Sequence, residues 1–274
     1  MKFHEPAVAK PILRWAGSKR QLIPTLLNSV PAGMLRYIEP FAGSACLFLA
    51  LRPDVAFLSD INRELIESYE ALQNAPEDIG RAVRGMPRSA SFYYHLRSCD
   101  PSTLGCLEKA ARFIYLNRFC FNGVYRTNRD GQFNVPRGSR TGGLPHLRDF
   151  ITFGNALKSA SVRACDFESA LEPAGSGDFV YLDPPYRKRP SGGYGEYGYN
   201  SFDTADLPRF CAAVQRAHSR GATLLISYSD TPSVKKLFRD WYSKRVTTRR
   251  HVSGFSGFRG RVHELLISNK PIDW

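Results

Sequence analysis

Phe179-Val180-Tyr181-Leu182 runs directly into Asp183-Pro184-Pro185-Tyr186. The first four residues are apolar and β-prone, and they read as a parallel strand buried on both faces. An acid, two prolines and an aromatic follow at its carboxyl end, where open α/β sheets bind ligands. Each proline fixes its φ and lacks an N–H, so the backbone is stiff and offers carbonyl acceptors. A carboxylate, a carbonyl and a π face together suit a planar ring that carries an exocyclic amine, such as adenine.

Upstream, Tyr37-Ile38-Glu39 reads as another short strand. It enters the small-residue turn Pro40-Phe41-Ala42-Gly43-Ser44-Ala45, and a helix follows over 46–51. Such a turn lets a ligand approach the backbone and the helix start. Residues 54–59 read as the next strand, ending at Asp60, an acid placed to take a ribose diol. Further strands are expected over 161–165, 223–227, 243–252 and 262–269, with helices over 147–160, 205–219 and 232–241. The 253–260 linker is too short for a parallel crossover, so the last two strands pair antiparallel. Asp166-Phe167, at a strand end, either frames a purine or starts the next helix with Asp166 as its cap.

Between Asn62 and about Leu116 the apolar spacing is helical over 64–72, 76–86, 92–98 and 107–116, which reads as an insertion. Asn122-Gly123 and Asp130-Gly131 mark tight turns in the stretch that follows. From Lys109 to Arg148 there are Lys109, Arg112, Arg118, Arg126, Arg129, Arg137, Arg140 and Arg148. The chain carries a formal charge of +13 over its 274 residues, which points to a polyanionic partner. Arginines interleaved with asparagine and aromatic side chains suit nucleic acid better than a plain solvated face. The Gly- and Tyr-rich stretch 187–200, with Arg187, Lys188 and Arg189, reads as a lid that orders on binding. Residues 1–10 read as a loose arm.

Other chemistries are set aside. Gly17-Ser18-Lys19 lacks the upstream glycine of a phosphate loop. The six cysteines form no C-x-x-C pair, which reads as a reducing compartment without disulfides or structural zinc. No His pair has zinc spacing, no Gly-x-Ser-x-Gly elbow is present, and no apolar run is long enough to span a membrane.

Taken in order, Trp15-Ala16-Gly17-Ser18-Lys19, Glu39-Pro40-Phe41-Ala42-Gly43, the 117–128 stretch, Phe133-Asn134-Val135-Pro136 and Asp183-Pro184-Pro185-Tyr186 resemble the DNA adenine methyltransferase (Dam) family, the D12 class of N6-adenine-specific enzymes. The likeness runs from about Ile12 to Asn269. It implies a Rossmann-like α/β methyltransferase sheet with a terminal antiparallel strand, formed by 1–61 and 151–274. It implies a helical target-recognition domain over 62–150 with a base-reading hairpin. It implies S-adenosylmethionine as methyl donor, double-stranded DNA as partner, and a flipped-out adenine as acceptor. No metal is implied. A monomer in a bacterial or phage-infected cytoplasm is expected.

By motif match, Asp183, Pro184, Pro185 and Tyr186 would be catalytic. Trp15, Lys19, Glu39, Phe41, Ala42, Gly43, Asp60, Asp166, Phe167 and Asp183 would hold the donor. Arg118, Asn122, Gly123, Val124, Arg126, Asn128, Asn134, Pro136 and Arg137 would meet DNA. The family often has glycine where Ala45 stands, and that methyl is expected to narrow the donor pocket slightly. It often has Leu at Val124 and an aromatic at Arg137, changes that bear on target sequence. Cytosine N4 or RNA adenine as acceptor, or an inactive DNA-binding relative, are the competing readings.

Overall fold

A computed structural model describes residues 9–139, 141–185, 202, 206–249 and 261–272. Tyr186, the 187–200 stretch and the 253–260 linker lie outside the described residues, as does most of the N-terminal arm.

The strands are β1 (Arg36–Glu39), β2 (Ala56–Asp60), β3 (Ala160–Ala164), β4 (Asp178–Leu182), β5 (Thr223–Ser229), β6 (Tyr242–Arg249) and β7 (Arg261–Ser268). The helices are α1 (Ile23–Leu27), α2 (Cys46–Leu51), α3 (Arg63–Asn74), α4 (Pro76–Gly85), α5 (Ala90–Ser98), α6 (Cys106–Phe119), α7 (Leu147–Leu157), α8 (Phe167–Leu171), α9 (Asp206–Ser219) and α10 (Pro232–Leu237). The strands form one seven-stranded sheet in the order β3-β2-β1-β4-β5-β7-β6. The first five in that order run parallel, and β7 pairs antiparallel with both β5 and β6. The expected antiparallel pairing of the last two strands is therefore present, with β6 starting one residue earlier than expected.

Every residue of β4 is buried. Phe179 and Tyr181 face one core, shared with Tyr37, Leu58 and Phe48. Val180 and Leu182 face the other, shared with Ile38, Phe210 and Ile226. Two covered faces explain why β4 is uniformly apolar rather than alternating. The chain order reverses between β1 and β4, so their carboxyl ends bound the crevice where such sheets take ligands.

Helix α3 begins where the Asn62 side chain accepts from the Leu65 N–H at 3.1 Å. Its Leu65, Tyr69 and Leu72 point into the same core as Tyr37 and Phe179. Ile79, Val83, Ala110, Ile114, Phe150 and Phe153 join them there. Much of the insertion thus completes one face of the sheet, and no break in the core falls at residue 62. A smaller cluster of Tyr93, Tyr115, Phe119, Phe133 and Val135 supports the outer part. There the chain makes two turns tied by single bridges, Cys120 to Arg137 and Thr127 to Phe133, rather than a regular hairpin.

Candidate functional site

A cleft of about 560 Å³ opens at the carboxyl ends of β1, β2 and β4. Trp15, Lys19, Glu39, Phe41, Ala42, Gly43, Asp60, Asp166, Phe167, Asp183 and Pro185 all line it. Those residues come from stretches up to 170 positions apart, and the sheet gathers them.

The turn after β1 is held tightly. Gly43 has φ +46°. A Cβ there would lie 2.8 Å from the Trp15 indole, so only glycine lets the ring close over the turn. The Gly43 N–H donates to Asp60 Oδ2 at 3.1 Å, and the Asn62 N–H donates to Asp60 Oδ1 at 3.0 Å. The Tyr69 hydroxyl donates to the Gly43 carbonyl. Burial pushes the Asp60 carboxyl up to about 6, against the pull of those amides. Trp15 lies nearly parallel to Tyr125, at 19° and 6.3 Å between centroids.

Ala45 is left-handed, at φ 51° and ψ 38°, and begins α2. It is fully buried in the sheet core. Its methyl therefore does not narrow the cleft as expected, and the departure from glycine appears as backbone strain instead.

Asp183 follows β4 directly. Lys19 Nζ stands 2.7 Å from Asp183 Oδ1, donates to the Gly17 carbonyl at 3.0 Å, and lies 3.9 Å from Glu264 Oε2 on β7. Lys19 is 7% exposed. Burial raises the Asp183 carboxyl to about 6, Lys19 holds it down, and Glu264 adds a push upward. At neutral pH the group is an ionised acceptor. Glu39, buried at the end of β1, is raised to about 8 by burial, with the Tyr37 hydroxyl donating to its Oε2 at 2.9 Å. Pro184 is buried, and Pro185 reaches the cleft.

At the other end, Phe41 stacks on Phe167 at 5.8 Å and 26°. Asp166 caps α8, its Oδ1 accepting from the Glu168 N–H at 2.9 Å, and it also pairs with Arg209 at 3.0 Å. Both expected readings of Asp166 thus remain compatible, because the cap and the cleft wall are the same side chain. The Arg209 guanidinium covers the Phe167 ring at 5.1 Å.

The predicted DNA-reading residues divide. Arg126, half-buried, donates from Nε to Asn134 Oδ1 at 2.8 Å, and these two share one surface. Asn122 is left-handed at φ 56°, and Val124 follows it, half-buried. Pro136 is exposed, its carbonyl accepting from the Phe121 N–H at 2.8 Å. The others are held by the fold. Arg118 turns inward, its Nη1 donating to the Ile12 carbonyl at 3.3 Å and its Nη2 to that of Gly143. Burial, with Arg14 and Arg20 nearby, pulls its pKa down to about 10. Gly123, at φ +67°, lets Arg14 pack against it. Asn128 closes its own turn, accepting from the Asp130 and Gln132 amides at 3.1 and 2.9 Å. Arg137 donates to the Arg88 carbonyl at 3.0 Å.

Sequence reading missed Glu264, Arg209, Tyr125 and Phe202. Glu264 carries a visible signal, an acid directly before the apolar run Leu265-Leu266-Ile267. Arg209, Tyr125 and Phe202 reach the cleft only through tertiary packing. Among the described residues no cluster of three or more His, Cys, Asp or Glu could hold a metal, and no helix is long and apolar enough to cross a membrane.

A parallel sheet ending in an antiparallel pair, with a glycine turn after β1 and an Asp-Pro-Pro stretch after β4 at its carboxyl edge, has the Rossmann-like form of methyltransferases. The chain belongs to the D12 class N6 adenine-specific DNA methyltransferase family, whose model matches residues 15–253. It is 32% identical to a type II methyltransferase of Lactococcus lactis subsp. cremoris, over 95% of each chain. It is 32% identical to a DNA adenine methylase of Serratia marcescens, over 93% of this chain and 96% of that one. It is 30% identical to a DNA N-6-adenine-methyltransferase of Escherichia phage P1, over 93% of this chain and 35% of that longer protein.

Proposed function

We propose that this protein transfers a methyl group from S-adenosylmethionine to the exocyclic N6 of an adenine swung out of duplex DNA. The observation that carries the reading is the half-buried Asp183 carboxylate beside the Pro184-Pro185 backbone, at the wall of a cleft whose other residues suit an adenosine.

The cleft's donor set fits the methyl donor. The aromatic wall of Phe41 and Phe167 beside Asp166 suits an adenine, Asp60 a ribose diol, and Trp15, Lys19 and Glu39 the methionine end. Gly43 leaves the close approach that a Cβ would block. When bound, the donor supplies an electrophilic methyl on a sulfonium, whose sulfur keeps the C–S electron pair. Asp183 and the Pro184 carbonyl accept from the adenine N6 hydrogens and localise its lone pair for the new N–C bond. The proton lost from N6 passes to Asp183 or to water. Tyr186 would stack on the base. The chain's work is positioning and preorganised polarity, after extrusion of the base at a cost of a few kcal/mol.

DNA recognition falls to the 62–150 stretch, chiefly its outer part, with Arg126, Asn134 and Asn122 reading bases. The bacterial and phage relatives support action on DNA in the cytoplasm of a bacterial or infected cell.

The test is transfer of labelled methyl groups into duplex DNA, with mass analysis of the nucleosides. N6-methyladenine is expected. N4-methylcytosine, or product only in RNA, would overturn the acceptor assignment.

A further inference from the structure

Glu264 is only 4% exposed on β7, where it lies opposite Ser229 of β5 and Val246 of β6. Its neighbours Leu265, Leu266 and Ile267 fill the two cores. A carboxylate in such a place is costly unless a cation faces it. The cation is Lys19, whose Nζ is 3.9 Å from Glu264 Oε2 and 2.7 Å from Asp183 Oδ1. One buried ammonium thus stands between a half-buried carboxylate, Asp183, and a buried one, Glu264, at unequal distances. The other titratable groups around them are Glu39 and Tyr37 from β1 and Tyr181 from β4, whose hydroxyl shares a hydrogen bond with Ser227 of β5. Burial raises Glu39 to about 8, and among the described residues Lys19 is the cation that faces Asp183 and Glu264.

The unequal distances matter for the acceptor. An adenine amine that takes Asp183 Oδ1 meets an oxygen already engaged by Lys19, whereas one that takes Oδ2 leaves the lysine in place. If the lysine simply withdrew, it would be stranded as a buried unpaired charge. An ammonium on a flexible stem has three donors to redirect. Moving to hydrogen-bond distance from Glu264 needs a shift of only about 1 Å.

We propose that Glu264 is a positioning residue of the methyl-transfer site, the second seat to which the Lys19 ammonium turns when the acceptor amine takes Asp183 Oδ1. The proposal rests on the methyl-transfer reading of Asp183. Lys19 exchanges one carboxylate for another, so its charge stays paired throughout. Glu264 also keeps Asp183 a better acceptor by its own negative charge.

Single-turnover transfer to a cognate duplex, followed from pH 5 to pH 9, tests this. Glu264→Gln should lower the plateau rate by about 10²-fold while donor and duplex affinities stay within about threefold. Its acidic limb should move to lower pH, because Asp183 loses a repelling neighbour. A folded Glu264→Gln protein with an unmoved limb and a wild-type plateau overturns the proposal. If that variant does not fold, Glu264→Asp keeps the charge at longer reach, and it should keep the limb but lower the plateau. A displaced limb or a wild-type plateau in Glu264→Asp would overturn the proposal equally. Failure of the methyl-transfer reading itself is separate, since the wild-type protein would then yield no N6-methyladenine at any pH.

Discussion

Lys19 Nζ lies 2.7 Å from Asp183 Oδ1, with the two side chains only 6% and 19% exposed. The two residues stand 164 positions apart, and the sheet brings them to one point. A buried pair of this kind contributes little net stability, but removing one partner leaves the other uncompensated at a cost of about 3–5 kcal/mol. Its value lies in the charge state: Lys19 holds Asp183 ionised at neutral pH against burial and against Glu264. Asp183→Asn keeps the shape, removes the charge and turns an acceptor into a partial donor. Transfer should fall by about 10²–10³-fold or more, the usual loss for one preorganised group aimed at the reacting centre. Calorimetric donor binding should remain measurable. Wild-type turnover in Asp183→Asn would remove Asp183 from the chemistry.

Stability should respond to pH in an unusual direction. Glu39 is raised to about 8, and Asp60 and Asp183 to about 6. A carboxyl raised on folding adds stability that is fully present below its unfolded value, near 4, and lost as pH rises through the folded value. Carboxyls held low by partners, Glu168 and Asp230 among them, act oppositely and lose their contribution only at more acidic pH. The ligand-free protein should therefore resist urea better at pH 5.5 than at pH 8.5. Glu39→Gln should flatten the upper part of that slope. Urea midpoints that climb steadily from pH 6 to pH 8.5 would contradict these shifts.

The small residues Gly43 and Ala45, two positions apart, should tolerate substitution differently. Gly43→Ala sets a methyl 2.8 Å from the Trp15 indole at φ +46°, so the ring must move off the cleft. Weaker donor binding and a stability loss of about 1–3 kcal/mol are expected. Ala45→Gly relieves about 1–2 kcal/mol of left-handed strain. Against that stand about 0.8 kcal/mol for the buried methyl and about 0.5–1 kcal/mol of chain entropy. The terms nearly cancel, so its urea midpoint should barely move. Donor affinity should also stay within about twofold, since the Ala45 methyl faces the core. A much tighter-binding Ala45→Gly protein would mean that the methyl reaches the donor after all.

Much of this was legible in the chain. Strand ends carry the site, and a strand ending in Asp-Pro-Pro or in Glu-Pro-Phe announces itself through apolar runs and prolines. Asp60 was legible by its spacing from the glycine turn. The orientation of single side chains was not. Arg118 and Arg126 sit in similar basic, Asn-rich surroundings in the sequence. Only the docking of the 12–15 segment onto α6, through paired hydrogen bonds between Asn117 and the Arg14 backbone at 2.8 and 2.7 Å, decides which one is enclosed. Glu264 stands out locally as an acid beside apolar residues, but its approach to Lys19 depends on β7 pairing with β5.

That difference between Arg118 and Arg126 gives the sharpest contrast to test. Arg118→Ala leaves the part-buried Ile12 carbonyl without its donor, at a cost of about 1–3 kcal/mol, while the exposed Gly143 carbonyl turns to water. It should therefore lower the urea midpoint while leaving the preference among duplexes unchanged. Arg126 is half-buried, tied only through Nε to Asn134 Oδ1 among its described contacts, and turned to the same surface as that amide. Arg126→Ala should cost little stability. If Arg126 makes a bidentate contact to a guanine, the variant should lose about 1–3 kcal/mol of discrimination at one base position. A phosphate contact would instead weaken every duplex alike and reduce the salt dependence of binding. Titrating both variants against duplexes substituted at each position, at two salt concentrations, separates the outcomes. A specificity change in Arg118→Ala, or a uniform loss in Arg126→Ala, would reassign the arginines.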